Sequence, residues 1–260
     1  MKCELESILR EAGALMKSYA DPHVTVKPGH ANFVTEADVA VQALLEERLA
    51  KMFPKASFLA EEEEEHRLGQ GLTFIIDPID GTTNYMRHRP DCGISVGAVE
   101  NGQPVLGAVY LPYKDELYHA APGKGAWCNG TQLHVSDVPM ERALVMLGTA
   151  PYNTELAELT AKSVQTLLLA CGDVRRSGAA VVDLCDLAAG RAEVQFEWTL
   201  QPWDCCASTL IIREAGGIVG NILGGDVRWD QAGPYLAAAP QLYEPVRKLL
   251  LEARSSLGIQ

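Results

Sequence analysis

The sequence predicts an α+β fold, and three observations carry that reading. Two helical periodicities open the chain, β-forming segments punctuated by turn signals fill residues 74–130, and strand and helix alternate from residue 143 onward. Residues 4–20 set Leu5, Ile8, Leu9, Ala12, Leu15 and Met16 at helical spacing, so a first amphipathic helix should end near Asp21-Pro22. Lys27-Pro28-Gly29 belongs to a polar, extended link. A second helix should start around Thr35 and run through Val39, Leu44, Leu45 and Leu49 to Phe53-Pro54. Thr35-Glu36-Ala37-Asp38 has the outline of a capping box, which by itself makes Asp38 a capping acid.

Residues 57–60 read as a short strand running into five consecutive glutamates, 61–65, most of them a solvated, self-repelling loop. Phe74-Ile75-Ile76 is a buried-strand run expected to stop at Asp77, because Pro78 removes a ladder donor. Asp80 follows, and Gly81-Thr82-Thr83 can then turn backbone N–H groups and a hydroxyl toward one spot. A surface turn is the plainer reading of Asp-Pro-x-Asp-Gly, but the apolar strand leading in and the threonine pair leading out favour a divalent cation carrying a phosphate. Residues 93–99, 105–110 and 116–120, separated by Asn101-Gly102 and Leu111-Pro112, predict an antiparallel meander closed by Trp127 and Asn129-Gly130.

A seam near residues 136–141 divides the chain into an expected 1–138 domain and a 139–260 domain. Beyond it come a strand at 143–147, a helix at 154–171, a short strand at 174–176 and a small-residue helix at 179–189 entered through Gly178. A strand at 192–198, a largely apolar helix at 204–215 stopped by Gly216-Gly217, and a closing helix at 241–253 complete the reading. Asp204 follows Pro202-Trp203 in a first turn, an ordinary place for a dipole-complementing acid. The helix behind it is apolar enough to be buried, and an acid at a buried helix end needs a partner, which a cation can be. Glu197, between Phe196 and Trp198, reads as the outward residue of an alternating strand; Arg175-Arg176 could bind a second phosphate or a neighbouring subunit, with a structural salt bridge the plainer reading.

With 260 residues, 47% hydrophobic and 22% charged, the composition is that of an ordinary globular protein. A net charge of −12 argues against general nucleic-acid binding, though not against a small anion beside bound metal. Met1-Lys2-Cys3-Glu4-Leu5 opens neither a signal nor a transit peptide, and no apolar run reaches membrane-spanning length, so no membrane association is expected and the cytoplasm is the expected location. Seven cysteines without a C-x-x-C pair fit reduced thiols, and the scattered histidines argue against zinc.

Asp77-Pro78-Ile79-Asp80-Gly81-Thr82-Thr83-Asn84-Tyr85 resembles the first signature of the inositol monophosphatase family of Mg²⁺-dependent, lithium-sensitive phosphatases. Trp203-Asp204 through Glu214-Ala215-Gly216-Gly217 resembles the second, in the expected order, and the similarity spans nearly the whole chain. The resemblance implies a layered αβαβα sandwich of the inositol monophosphatase / fructose-1,6-bisphosphatase type, a homodimer, and two or three Mg²⁺ ions per subunit. It assigns Glu61, Asp77, the Ile79 carbonyl, Asp80 and Asp204 to metal, with Asp77 as the bridge. Thr82, with Asp38 or Glu62, would orient the attacking water; Gly81 and Thr82 backbone N–H groups would hold the phosphoryl oxygens; Ala180 and Glu197 would line the substrate.

The activity so implied is hydrolysis of a small phosphate monoester without a covalent step, a reaction whose barrier must fall by on the order of 20 kcal/mol. Inositol 1-phosphate is the first choice because of Glu197; adenosine 3',5'-bisphosphate, fructose 1,6-bisphosphate and histidinol phosphate are alternatives. A regulatory binding protein on the same fold is the alternative from another class, and it predicts a lost ligand that the sequence does not show. Ala60 where the family has glycine, Arg87 and Arg89 after the first signature, and Cys205-Cys206 after the last aspartate depart from the family pattern.

Overall fold

The computed structural model describes residues 2–19, 21–27, 30, 33–63 and 66–259; Pro28 and Gly29 of the expected link and Glu64 and Glu65 of the acidic run lie outside them. Helices α1 (Lys2–Ser18) and α2 (Glu36–Met52) bury the apolar stripe their periodicity announces, including Leu9, Met16, Leu45 and Leu49. The link between them is more than extended coil, since β1 (Val24–Val26) and β2 (Phe33–Thr35) pair antiparallel. The capping box forms: the Thr35 backbone N–H and hydroxyl both donate to Asp38 Oδ2, at 2.8 and 2.5 Å.

Seven strands follow as one sheet in chain order: β3 (Ser57–Ala60), β4 (Thr73–Asp80), β5 (Gly93–Glu100), β6 (Gln103–Leu111), β7 (Glu116–Ala120), β8 (Ala126–Cys128) and β9 (Thr131–Gln132). Only β3 and β4 are parallel; from β4 onward the pairing is the expected meander. A single short helix, α3 (Thr82–Met86), interrupts it.

The second sheet has the order β11-β10-β12-β14-β13 and is mixed. Its elements are β10 (Leu144–Leu147), α4 (Ala157–Leu168), β11 (Asp173–Arg175), α5 (Ala180–Ala188), β12 (Val194–Leu200), α6 (Pro202–Glu214), β13 (Ile218–Gly220), β14 (Gly233–Ala238) and α7 (Pro240–Ser256). Strands β13 and β14 were not expected from the sequence, where glycine, proline and alanine dilute the β-forming residues.

Helices α5 and α6 lie between the two sheets, α1 and α2 cover the outer face of the first, and α4 and α7 that of the second. This is the αβαβα sandwich. Ten of the 13 residues of α6 are buried, so the helix that begins beside Asp204 is the middle of the molecule.

One strand departs from expectation in a way that matters. β4 does not stop at Asp77 but continues through Pro78 to Asp80, with a register shift between Asp77 and Asp80. Phe74 and Ile76 pack toward α1 and α2, while Ile75 packs toward α5 and α6. Strict alternation puts Asp77 on the α6 side and Asp80, three residues on, on the opposite side. The irregularity at Pro78 slips that count by one: Ile79 joins the α1/α2 core, and Asp80 turns back toward α5. Both carboxylates thereby face the helical middle layer.

Candidate active site

Two adjoining cavities open at the ends of β3 and β4. The first, about 630 Å³, is lined among others by Lys27, Glu61, Glu62, His66, Asp77, Ile79, Asp80, Thr82 and Asp204. The second, about 360 Å³, is lined by Ala180, Asp183, Glu197, Arg176 and the 147–152 segment. Glu61, Asp80, Gly81, Thr82, Tyr152 and Asp204 line both.

Carboxylate oxygens of Asp77, Asp80 and Asp204 lie within 4.8 Å of one another. Asp77, fully buried, stands among them, and Glu61, Asp80 and Asp204 all act on its carboxyl. Each acid is fixed from its own element. Asp80 Oδ2 accepts the Val181 N–H at 2.6 Å, tying β4 to the first turn of α5. Asp204 accepts the Gln201 N–H at 3.3 Å, and the Trp203 carbonyl accepts the Ser95 hydroxyl at 3.1 Å, fixing the start of α6 against β5. Ile79 donates its N–H to Asp77 Oδ1 at 3.0 Å, while its carbonyl accepts the Thr82 hydroxyl at 3.2 Å.

Burial raises all of these acids, and their mutual repulsion adds to it. Asp77, Asp80 and Asp204 sit well above the usual carboxylate range; Glu61 rises to about 7, with Lys27 opposing. Asp38 is pushed by burial up to about 6, with the two Thr35 hydrogen bonds pulling down and the charge of Glu62 pushing up. Its Oδ1 accepts the Thr82 hydroxyl at 3.4 Å, so the capping acid, which is itself buried and lines neither cavity, connects to the site through Thr82. Glu62 pairs with Lys27 at 2.5 Å and leaves its other oxygen buried without a hydrogen bond.

Glu197 corrects the outward reading. It is buried, on the face of β12 opposite Phe196 and Trp198, pushed by burial to about 8, and accepts the Ala150 N–H at 3.0 Å. Ala180 opens α5 at the wall of the same cavity. The arginine pair divides: Arg175 is salt-bridged to Asp173, as read from the sequence, whereas Arg176 is exposed at the rim of the second cavity and draws down the carboxyls of Asp183 and Glu197. Arg87 and Arg89 line neither cavity.

Sequence reasoning passed over Lys27, Tyr152 and His66, whose ring packs on Trp203 with centroids 4.6 Å apart. None belongs to a periodic pattern, and only proximity in the fold singles them out. Gly81 holds φ +86° at the bend into α3, where an added Cβ would meet Ala179 Cβ and the Asp91 carbonyl at 2.9 Å. Gly81→Ala is expected to cost about 1–3 kcal/mol, read from denaturant unfolding; an unchanged midpoint would contradict the tight fit.

The donor set is entirely oxygen. Carboxylates crowd one cavity where Lys27 is the only lysine or arginine among the described lining residues. That composition fits a hard divalent cation and leaves the acids poorly compensated without one.

Comparison with known proteins agrees with this chemistry. The Escherichia coli K12 protein named Nus factor SuhB is 33% identical over 254 residues, covering 96% of this chain and 94% of its own. An IMPase from Thermotoga maritima superposes with a TM-score of 0.89 at 29% identity, covering 99% of this chain and all of that one. An IMPase/NADP phosphatase complexed with Mg²⁺ and phosphate superposes with a TM-score of 0.84 at 25% identity, covering 94% of this chain and 92% of its own. The profile of the inositol monophosphatase family matches residues 2–255, and with the acidic cavity at the middle layer of the same sandwich, this chain belongs to that family.

Proposed function

We propose that the chain is a Mg²⁺-dependent phosphate monoester hydrolase acting on inositol 1-phosphate or a closely similar polyol phosphate. The observation that carries the reading is the convergence of the Asp77, Asp80 and Asp204 carboxylate oxygens within 4.8 Å of one another in a cavity that Glu61 also lines. In this reading Glu61, Asp77, the Ile79 carbonyl, Asp80 and Asp204 hold the cations, and the phosphate complex of the Mg²⁺-bound relative supports it. Bound cations supply charge stabilisation on the attacking and leaving oxygens.

The protein's own groups do the rest. Thr82 orients the water and passes the water's proton on to Asp38, to which the Thr82 hydroxyl is hydrogen-bonded, at near-neutral pH. Glu62, held by Lys27, keeps that side of the cavity negative. Gly81 and Thr82 N–H groups hold phosphoryl oxygens as the attack proceeds. Ala180 bounds the leaving group, and Glu197 accepts from its hydroxyls through the oxygen not committed to Ala150. Lithium inhibition and a homodimer belong to the same reading.

The test is a panel with Mg²⁺: inositol 1-phosphate, adenosine 3',5'-bisphosphate, fructose 1,6-bisphosphate and histidinol phosphate. The highest kcat/KM is expected for inositol 1-phosphate, and a preference for a bisphosphate overturns the substrate assignment. The SuhB relative's name favours a second reading, a regulatory role alongside or instead of hydrolysis. That role without turnover predicts no phosphate release from any of the four.

A further inference from the structure

Segment 148–153, between β10 and the helical turn at Thr154, forms part of the wall of the second cavity and reaches the first through Tyr152. It is held unusually tightly. Gly148 donates its N–H to the Phe196 carbonyl at 3.2 Å and leaves no room for a side chain, since an added Cβ would fall 1.8 Å from Glu197 Oε2. Ala150 is buried and sits at φ +40°, a strained conformation for a residue with a Cβ, and its N–H is bonded to Glu197 Oε1. On the far side His30 Nδ1 donates to the Pro151 carbonyl at 3.0 Å, and the Asn153 N–H closes the turn on the Ala150 carbonyl at 2.8 Å. Strain kept in place from two directions implies that something on this segment must be positioned.

What it positions is Tyr152. Tyr152 lines both cavities, at their junction, and is the aromatic residue that does so. It is 40% exposed at that junction, and Glu61, Asp80 and Asp204 line the same two cavities; a phenol keeps its proton at neutral pH. Two side chains common to the cavities carry a neutral O–H, Thr82 and Tyr152. The Thr82 hydroxyl is engaged by Asp38 and by the Ile79 carbonyl, whereas among the described residues the Tyr152 hydroxyl has no hydrogen bond within the chain. A free, un-ionised donor therefore stands where the phosphoryl cavity meets the leaving-group cavity.

We propose that Tyr152 is a catalytic residue of the hydrolysis put forward above, on which this inference rests: its O–H donates a hydrogen bond to the ester oxygen as the bond to phosphorus breaks. The attacking water forms the new P–O bond and gives up a proton that ends on Asp38, the ester P–O bond breaks with its electron pair going to the leaving oxygen, and that oxygen takes a proton from solvent, to which Asp38 later returns the one it holds. Tyr152 keeps its own proton and shares it while charge develops. The contribution is largest for an alkyl alcohol, whose oxygen must carry the charge alone, so the site is adapted to polyol and other alkyl phosphates over aryl ones.

The test compares Tyr152→Phe with the unaltered chain, in Mg²⁺, on 2-glycerophosphate and p-nitrophenyl phosphate. On 2-glycerophosphate, kcat is expected to fall about 100-fold with KM little changed. On p-nitrophenyl phosphate, whose leaving group delocalises its charge, the fall should be less than about 3-fold. Equal losses on both esters overturn the assignment, because they mean a contact to the phosphoryl group or a misplaced loop; so does no loss on either. Failure of the unaltered chain to release phosphate from both esters and from inositol 1-phosphate alike overturns the hydrolase reading itself, a result distinguishable from the other two.

Discussion

Asp77→Asn is expected to reduce kcat on the preferred substrate by on the order of 10³-fold or more while leaving the cation-free protein as stable as before, or more so. The two halves of this expectation have one cause. Asp77 is fully buried in the acidic cavity, its carboxylate within 4.8 Å of those of Asp80 and Asp204, so in the proposed reading no other carboxylate could take its place as the bridging ligand. The amide keeps the shape and the acceptor oxygen for the Ile79 N–H but cannot ionise, which relieves a cluster whose acids must either hold protons or repel one another. Most buried-acid replacements lose a partner and destabilise; here the neighbours are other acids that raise the Asp77 pKa rather than satisfy its charge. Steady-state kinetics and thermal unfolding in EDTA, run on the same two proteins, check it. Retained turnover would remove Asp77 from the bridging role, and a large loss of stability without metal would show that the cluster is not repulsive.

The fold and the acidic set were legible in the sequence to different depths, and the reasons are physical. Helices α1, α2 and α6 announce themselves because amphipathic spacing or an unbroken apolar run is a property of neighbouring residues. Asp77, Asp80 and Asp204 were found from motif resemblance, but how Asp77 and Asp80 come to face one way was not. Alternation alone separates them, and the slip at Pro78 that reunites them depends on β5 pairing alongside. Glu197 was misread as outward because alternation tells which residues share a face, not which face water sees; both faces of β12 are covered. Strand β14 hides in an alanine-rich segment whose place is dictated by β12 and β13. Lys27 and Tyr152 lie in connecting segments, and their partners are tens of residues away.

Those partners make the cation-free protein unusual in its response to pH. For Glu61, Glu197 and Asp183, at about 7, 8 and 7, and for Asp77, Asp80 and Asp204, raised well above their ordinary values, the folded state holds protons that the unfolded chain releases near pH 4. A raised folded pKa contributes stability that is complete below the unfolded value and is lost as pH climbs through the folded one. Between about pH 5 and 8, the chain in EDTA should therefore become less stable as pH rises, by about 1.4 kcal/mol per pH unit for each proton retained on folding. The ion-paired surface acids Glu11 and Asp115, whose pKa values are lowered, act oppositely but below pH 5, outside that window. Cations displace the same protons, so Mg²⁺ should bind more tightly at pH 8 than at pH 6 and restore what the cluster loses. At 100 times its dissociation constant, a single site adds about 2.7 kcal/mol, which for a chain of this length raises the melting temperature by roughly 5–10 °C. Calorimetry with and without Mg²⁺ at pH 6 and pH 8 measures both slopes. A melting temperature in EDTA that holds steady or rises from pH 5 to 8, with no greater gain from Mg²⁺ at the higher pH, would mean the carboxylates are not crowded against one another and do not share a cation.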